Sequence, residues 1–289
     1  MIALKLWRLD MSRFCMLATL LALLSGGARA QWINYQTPGT PLKNGKPNLT
    51  APTPKALDGR PDLTGVWMHE ITTVAEVRRL FGNRFEDAIK TGGPGMEIGT
   101  QHKYNFDILV DFKPEESPLR RGVKLNRPRN VDPADICMVI AGIPEADFLS
   151  EPIKIVQAPR ETMILYEVGN LHRQIFTDGR ALPKEFDLPA FLGYSVGHWE
   201  GNSFVVETAG FNDKTSLDGM GHPHSDALHL TERFHRRDFG HLDVEMTFDD
   251  PQIYTRPFTI KVPHDLVPDN DIFEMFCDNE KDRVHMRKP

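Results

Sequence analysis

From Glu151 onward the chain reads as eight strand-like segments set apart by turns, and this regularity constrains the fold more than any other feature. Ile153–Ala158, Glu161–Val168, Leu171–Asp178, Tyr194–Glu200, Ser203–Gly210, Ala227–Asp238, His241–Asp249 and Tyr254–Val262 carry alternating apolar and polar residues. Gly169-Asn170, Asp178-Gly179, Gly201-Asn202 and Gly240 supply turn chemistry between most of them. Close spacing with short turns predicts antiparallel pairing, because parallel neighbours need crossovers of a dozen or more residues. No helical pattern interrupts the run. The expected fold is mainly β: an antiparallel meander closed into a barrel or a strongly bent sheet.

The preceding residues add one helix. Val74, Val77, Leu80, Phe81, Phe85 and Ile89 recur at helical spacing within 74–90, and Gly92-Gly93-Pro94 stops the pattern. Residues 31–60, rich in Pro, Gly, Asn and Thr, predict an extended arm lying on the body or loose in solvent. Residues 91–150 are broken by Pro and Gly and give no clear reading. A single β-rich domain over 61–289 accounts for the rest.

Within Asp62-Leu63-Thr64-Gly65-Val66-Trp67, the Gly-x-Trp motif resembles the opening strand of lipocalin-like barrels. The resemblance implies a glycine that lets chains pass closely and a tryptophan that plugs the barrel floor. Longer runs are similar to a family of exported bacterial β-rich proteins. They are Gly193–Gly201 (GYSVGHWEG), Val205–Phe211 (VVETAGF), Pro223–Leu228 (PHSDAL), Thr231–Phe234 (TERF) and Asp249–Thr255 (DDPQIYT). That resemblance implies export and a β-rich fold and assigns no catalytic residue.

Residues 1–30 read as a secretory signal. Lys5, Arg8 and Arg13 precede an eleven-residue apolar run from Phe14 to Leu24, and Ala28-Arg29-Ala30 forms a small-x-small cleavage site. The run is too short to span a bilayer of roughly 30 Å. The expectation is a periplasmic or secreted protein with no membrane segment after cleavage. Cleavage takes Lys+Arg from 34 to 30 and Asp+Glu from 40 to 39, a net charge of −9. So acidic a chain, with no basic stripe, excludes a nucleic-acid partner. Two cysteines remain, Cys137 and Cys277, which in an oxidising compartment predict a disulfide. Closing so long a loop contributes roughly 4–5 kcal/mol by the chain-entropy argument.

Five of the eleven histidines fall between His222 and His241, around a long loop from Gly210 to Asp226. A compact domain rarely keeps a loop of that length without a function, and imidazoles and carboxylates move protons near neutral pH. His222 and His224, two apart in an extended segment, face the same way and with His229 form a possible metal set. The other readings are metal-free acid–base or binding work, or a solvated loop. Strand alternation singles out two further groups. Glu232 sits on the apolar face of Leu228, Leu230 and Phe234, and Arg173 sits between Leu171 and Ile175. Such a pair is either an ion pair that fixes register or the polar spot of an apolar pocket.

Glu207, on the face of Val205 just before the loop, Asn212 and Asp213 in it, and Tyr194, His198 and Trp199 on the preceding strand are candidate substrate-binding residues. Tyr194 and His198 share one strand face and Trp199 lies on the other; all three either line a pocket or simply pack. No Gly-x-Ser-x-Gly elbow, Gly-rich phosphate loop or Cys/His pair is present, which disfavours covalent nucleophilic chemistry. The functional expectation is an exported enzyme of isomerase, lyase or hydratase type, without cofactor, acting on a small, partly apolar or aromatic molecule. Glu232, His222 or His224 would be the base, Arg173 the anion holder, and Gly210–Asp226 the lid. The alternative is a carrier for a small hydrophobic ligand.

Overall fold

A computed structural model describes residues 37–82, 102–126, 142–148 and 151–273. The expected signal segment, Cys137 and Cys277 lie outside the described residues. A short hairpin, β1 (Leu42–Lys43) and β2 (Lys46–Pro47), precedes nine strands that close into a barrel. These are β3 (Gly65–His69), β4 (Ile153–Ala158), β5 (Glu161–Tyr166), β6 (His172–Phe176) and β7 (Tyr194–Glu200), then β8 (Ser203–Ala209), β9 (His229–Arg236), β10 (His241–Asp249) and β11 (Phe258–Leu266). Each pairs with its neighbour in sequence, and β11 closes on β3 through His264↔His69 and Leu266↔Trp67.

The barrel departs from a pure antiparallel meander at one seam. β6 and β7 run parallel, joined only by Ile175↔Ser195 and Phe176↔Val196. Nine strands cannot alternate direction around a closed ring, so one parallel pair is obligatory. It falls where the connecting segment, 177–193, is long enough to return along the outside of the barrel.

The last strand also sits four residues later than its alternation predicts. Asp250 organises a turn there: its carboxylate accepts from Gln252 N (3.1 Å), and Tyr254 N donates to Asp250 O (2.8 Å). Tyr254 is thereby held in the turn, with its hydroxyl donating to Pro223 O (3.0 Å). Its even-numbered parity survives, and Phe258, Ile260 and Val262 line the interior.

Helix α1 (Val74–Phe81) starts where the sequence predicts, capped by Thr73, whose hydroxyl accepts from Glu76 N (3.2 Å). It ends earlier than expected. Gly82, at φ 53°, closes it by donating to Arg78 O (2.8 Å), and 83–90 lie outside the described residues. A second, one-turn helix, α2 (Lys103–Phe106), sits in the segment between β3 and β4.

The two barrel ends differ. At the end where β3 begins, Trp67 is fully buried and donates from its indole N–H to Leu63 O (3.0 Å). The Arg236 guanidinium lies 4.8 Å over its ring and donates to Asp62 O (2.6 Å). Gly65 is tightly packed beside it; a side chain would meet Leu266 Cδ1 at 2.7 Å. The arm covers this end, with Gly240 N donating to Leu49 O (2.7 Å) and Phe239 N to Ala51 O (2.8 Å). The opposite end is filled by segments 102–126 and 142–148 and by the loop from Gly210.

Interior positions are mainly apolar, while the outward faces of β9 to β11 carry Thr231, Arg233, His235, Asp243, Glu245 and Lys261. That is the reverse of a bilayer-spanning barrel. No helix among the described residues is long and apolar enough to cross a membrane.

Candidate functional site

Arg173 on β6 and Glu232 on β9 meet inside the barrel as strand parity predicts, 59 residues apart in sequence and each at most 2% exposed. Arg173 Nη1 donates to Glu232 Oε1 (3.0 Å), and Nη2 donates to Oε2. Two hydroxyls complete the frame. Arg173 Nε donates to Ser195 Oγ (3.0 Å), Nη2 donates to Thr208 Oγ1 (2.7 Å), and the two hydroxyl oxygens are 2.9 Å apart. An ion pair this buried is tolerable only because nearly every donor and acceptor is used.

Beside it stand two groups that are not so satisfied. Asp147, in a 3₁₀ turn over the barrel mouth, and Tyr166, at the end of β5, are buried, and Asp147 Oδ2 and the Tyr166 hydroxyl have no hydrogen-bond partner. Burial pushes the Asp147 carboxyl up to about 7, with the Glu232 charge adding to the rise and Arg173 and Tyr166 opposing it. Burial, followed by the charge of Asp147, raises the Tyr166 hydroxyl well above its ordinary value, so it stays protonated. Orphaned buried polar atoms are uncommon in folded chains and call for an explanation. Neither residue stood out in the sequence: Asp147 belongs to the stretch without periodicity, and Tyr166 reads as one more aromatic on a strand.

The loop histidines are built into a different network. Asp218 is fully buried and accepts from Ile108 N (2.6 Å), His222 N (3.0 Å) and His222 Nδ1 (2.6 Å). Burial lowers the His222 pKa, but the Asp218 hydrogen bond and the charges of Asp218 and Asp107 outweigh it, giving a net rise. His224 points elsewhere. Its Nε2 accepts from Thr215 Oγ1 (2.8 Å), its Nδ1 donates to Ser225 O (3.2 Å), and burial lowers its pKa. Asp250 takes Ser225 N (2.6 Å) and Ser225 Oγ (2.8 Å). The loop is therefore an internally bonded plug rather than a solvated connection. Among the described residues no hydrogen bond or ion pair links either histidine to Arg173 or Glu232.

The alternative reading of a metal set from His222, His224 and His229 is not met among the described residues. His222 and His224 face different partners, and His229 is half-exposed on the outer face, 3.9 Å from Glu207. Asp107, Asp218 and His222 do bring ligand atoms within 4.8 Å of one another. The Asp218 oxygens there already accept three hydrogen bonds that fold the loop.

The candidate binding residues divide likewise. Glu207 and His198 lie on the outer surface, His198 bonding Glu200 (3.2 Å). Asn212 caps a turn by accepting from Lys214 N (3.1 Å), Asp213 is exposed, and Trp199 packs on Phe204 with centroids 5.3 Å apart. Tyr194 borders a cleft beside β6.

A third group was not visible in the sequence pattern. His69 and His264 pair across β3 and β11 on the inner face, and the His102 ring lies 6.0 Å from that of His69. Burial pushes His102 and His264 down to about 3, so both are neutral.

Comparison with family models, curated proteins and solved structures found no match to this chain. Its chemistry has to be read from the cluster itself. Glu232 has both oxygens committed to Arg173, which leaves it ill placed to act as a base. Asp147 is a buried carboxyl poised near neutrality with a vacant oxygen, and Tyr166 is a protonated hydroxyl beside Asp147 and Arg173 with no hydrogen bond of ordinary length. Together they form a proton acceptor and a hydrogen-bond donor held against a rigid ionic frame.

Proposed function

We propose that this protein is an exported enzyme of isomerase or lyase type that moves a proton on a small, partly apolar or aromatic molecule bearing a carbonyl group. The observation that carries the reading is the juxtaposition of Asp147 and Tyr166, each with an unpartnered buried oxygen, beside the saturated Arg173–Glu232 pair. Asp147 takes a proton from the carbon next to the carbonyl, and Tyr166 donates a hydrogen bond to the oxygen as negative charge develops there. The proton then returns at another carbon, or a leaving group departs. Arg173 supplies positive potential, and Glu232 holds Arg173 in place. His222, bound to Asp218, keeps the loop seated over the barrel mouth.

The test uses heavy water. Small ketones and aromatic carbonyl compounds are incubated with the protein, and exchange of their α-hydrogens for deuterium is followed by NMR. Exchange is expected for at least one compound, and Asp147→Asn should abolish it while the circular dichroism spectrum is retained. No exchange across the panel would defeat the reading. The carrier alternative draws support from an aromatic-walled cleft bordered by Phe176 and Tyr194, and binding without exchange would favour it.

A further inference from the structure

The parallel seam between β6 and β7 is the weakest join in the barrel wall. Only two residue pairs link the strands, and ahead of them 172–174 and 192–194 diverge around a cleft of about 210 Å³. Phe176, Tyr194 and Leu192 give it an apolar wall, Gln174 stands at its exposed mouth, and Arg173 and Ser195 close its inner side. The cleft therefore reaches the buried frame from outside, at the seam where the fewest residues pair.

We infer that this cleft binds a single-ring aromatic compound carrying one hydrogen-bond-accepting oxygen, a substrate class that rests on the reading of the buried cluster given above. Volume sets the size. A cavity of about 150 Å³ already accommodates benzene, so this one takes a ring plus a short substituent. The wall sets the shape. The rings of Phe176 and Tyr194 lie 5.1 Å apart at 31°, and Arg180 locks them by stacking 3.8 Å over Phe176 and donating to the Tyr194 hydroxyl (3.0 Å). Such a preordered aromatic surface favours a flat ring by offset stacking.

A hydrogen count sets the polarity. Ser195 and Thr208 bring two hydroxyl hydrogens to the single bond between them, and Arg173 donates to both oxygens. One hydroxyl hydrogen is left over, and no acceptor among the described residues takes it. If Thr208 donates to Ser195, the surplus hydrogen is on Ser195, which borders the cleft. An oxygen on the ring's substituent completes the network.

The test is a titration of the full chain with acetophenone and with ethylbenzene, which matches it in shape but lacks the oxygen, followed by ligand-observed NMR. Saturable binding of acetophenone is expected, with ethylbenzene weaker by about tenfold for the lost hydrogen bond. Gln174→Trp, at an exposed position, should fill the cleft and abolish binding, and Ser195→Ala should erase the preference for the oxygen. Circular dichroism verifies that each variant is folded. If acetophenone does not saturate, or if Gln174→Trp and Tyr194→Ala both bind it like the parent, the inference is wrong. Binding here without hydrogen exchange would sink the enzymatic reading alone. Exchange that is insensitive to Gln174→Trp would sink this one alone.

Discussion

The barrel interior around Arg173 and the loop over its mouth both concentrate titratable side chains, yet they are assembled in opposite ways. Asp218, His222 and His224 lie within seven positions of one another and are satisfied almost entirely by their own loop and the segment beneath it. Arg173, Glu232, Asp147 and Tyr166 come from four separate elements, and Arg173 and Glu232 each stand beside apolar neighbours on the inner face of their strand. There two members neutralise each other and two are left with vacant oxygens. Crowding in sequence here marks a segment that bonds to itself. Isolation on an apolar face marks a group whose partner must come from elsewhere, and such places hold unspent chemical capacity.

The comparison is broken most directly at Glu232. Glu232→Gln leaves the Arg173 charge buried and unpaired, and urea unfolding should show a loss of about 3–5 kcal/mol. A loss below about 1 kcal/mol would mean that the frame is not an ion pair in solution.

The neutral histidines beneath the mouth give the next effect. His102 and His264 sit near 3 when folded, whereas unfolded histidine binds its proton near 6.5. The unfolded state therefore binds more protons as pH falls, and stability should drop between neutrality and about pH 3. By pH 5 the drop is about 2 kcal/mol for each histidine. A urea midpoint that stays level from pH 7 to 5 would contradict their burial.

Asp218→Ala strips acceptors from the Ile108 and His222 amides and should cost about 1–3 kcal/mol, showing that the loop network is structural. Two positions apart, His222 and His224 should titrate on opposite sides of 6.5 by NMR, His222 above and His224 below. The sign for His222 follows. Its stabilising charge is fully present below the unfolded pKa and is lost as pH rises through its raised folded value. Coincident titrations would remove the Asp218 contact from the solution structure.

The smallest change belongs to Tyr166. Its hydroxyl makes no hydrogen bond of ordinary length, although Asp147 and Arg173 stand beside it, so Tyr166→Phe should leave stability within about 0.5 kcal/mol of the parent or slightly above it, while slowing any hydrogen exchange. A destabilisation of about 2 kcal/mol would reveal a hidden partner and return the hydroxyl to a structural role.

Strand alternation was a sufficient guide to which side chains enter the barrel. The period of two alone put Glu232 among Leu230 and Phe234, and Arg173 beside Ile175, and both are inside. Turn chemistry placed β4, β7 and β10 to the residue. Helix α1 began at its predicted start, since a threonine cap and apolar spacing are local signals.

What failed was non-local. The parallel seam follows from closing nine strands into a ring, a count that requires β3, far upstream, to join β4 and β11. The turn holding Tyr254 depends on where the Asp250 side chain finds its donors. His222 and His224 share a direction in an extended strand, but the loop bends between Asp218 and Thr215 and turns them to different partners.

The sequence by itself thus determined the class of fold, the inward set of residues and the pairing of opposite charges, because each is encoded in a repeat of two residues or a turn of a few. Only the tertiary structure decided that Asp147 and Tyr166 stand unpartnered beside that pair and that a cleft opens onto it at β6 and β7. Vacancy and access are properties of what surrounds a side chain. Those surroundings come from segments scores of residues away, whose approach is set by barrel closure rather than by local pattern.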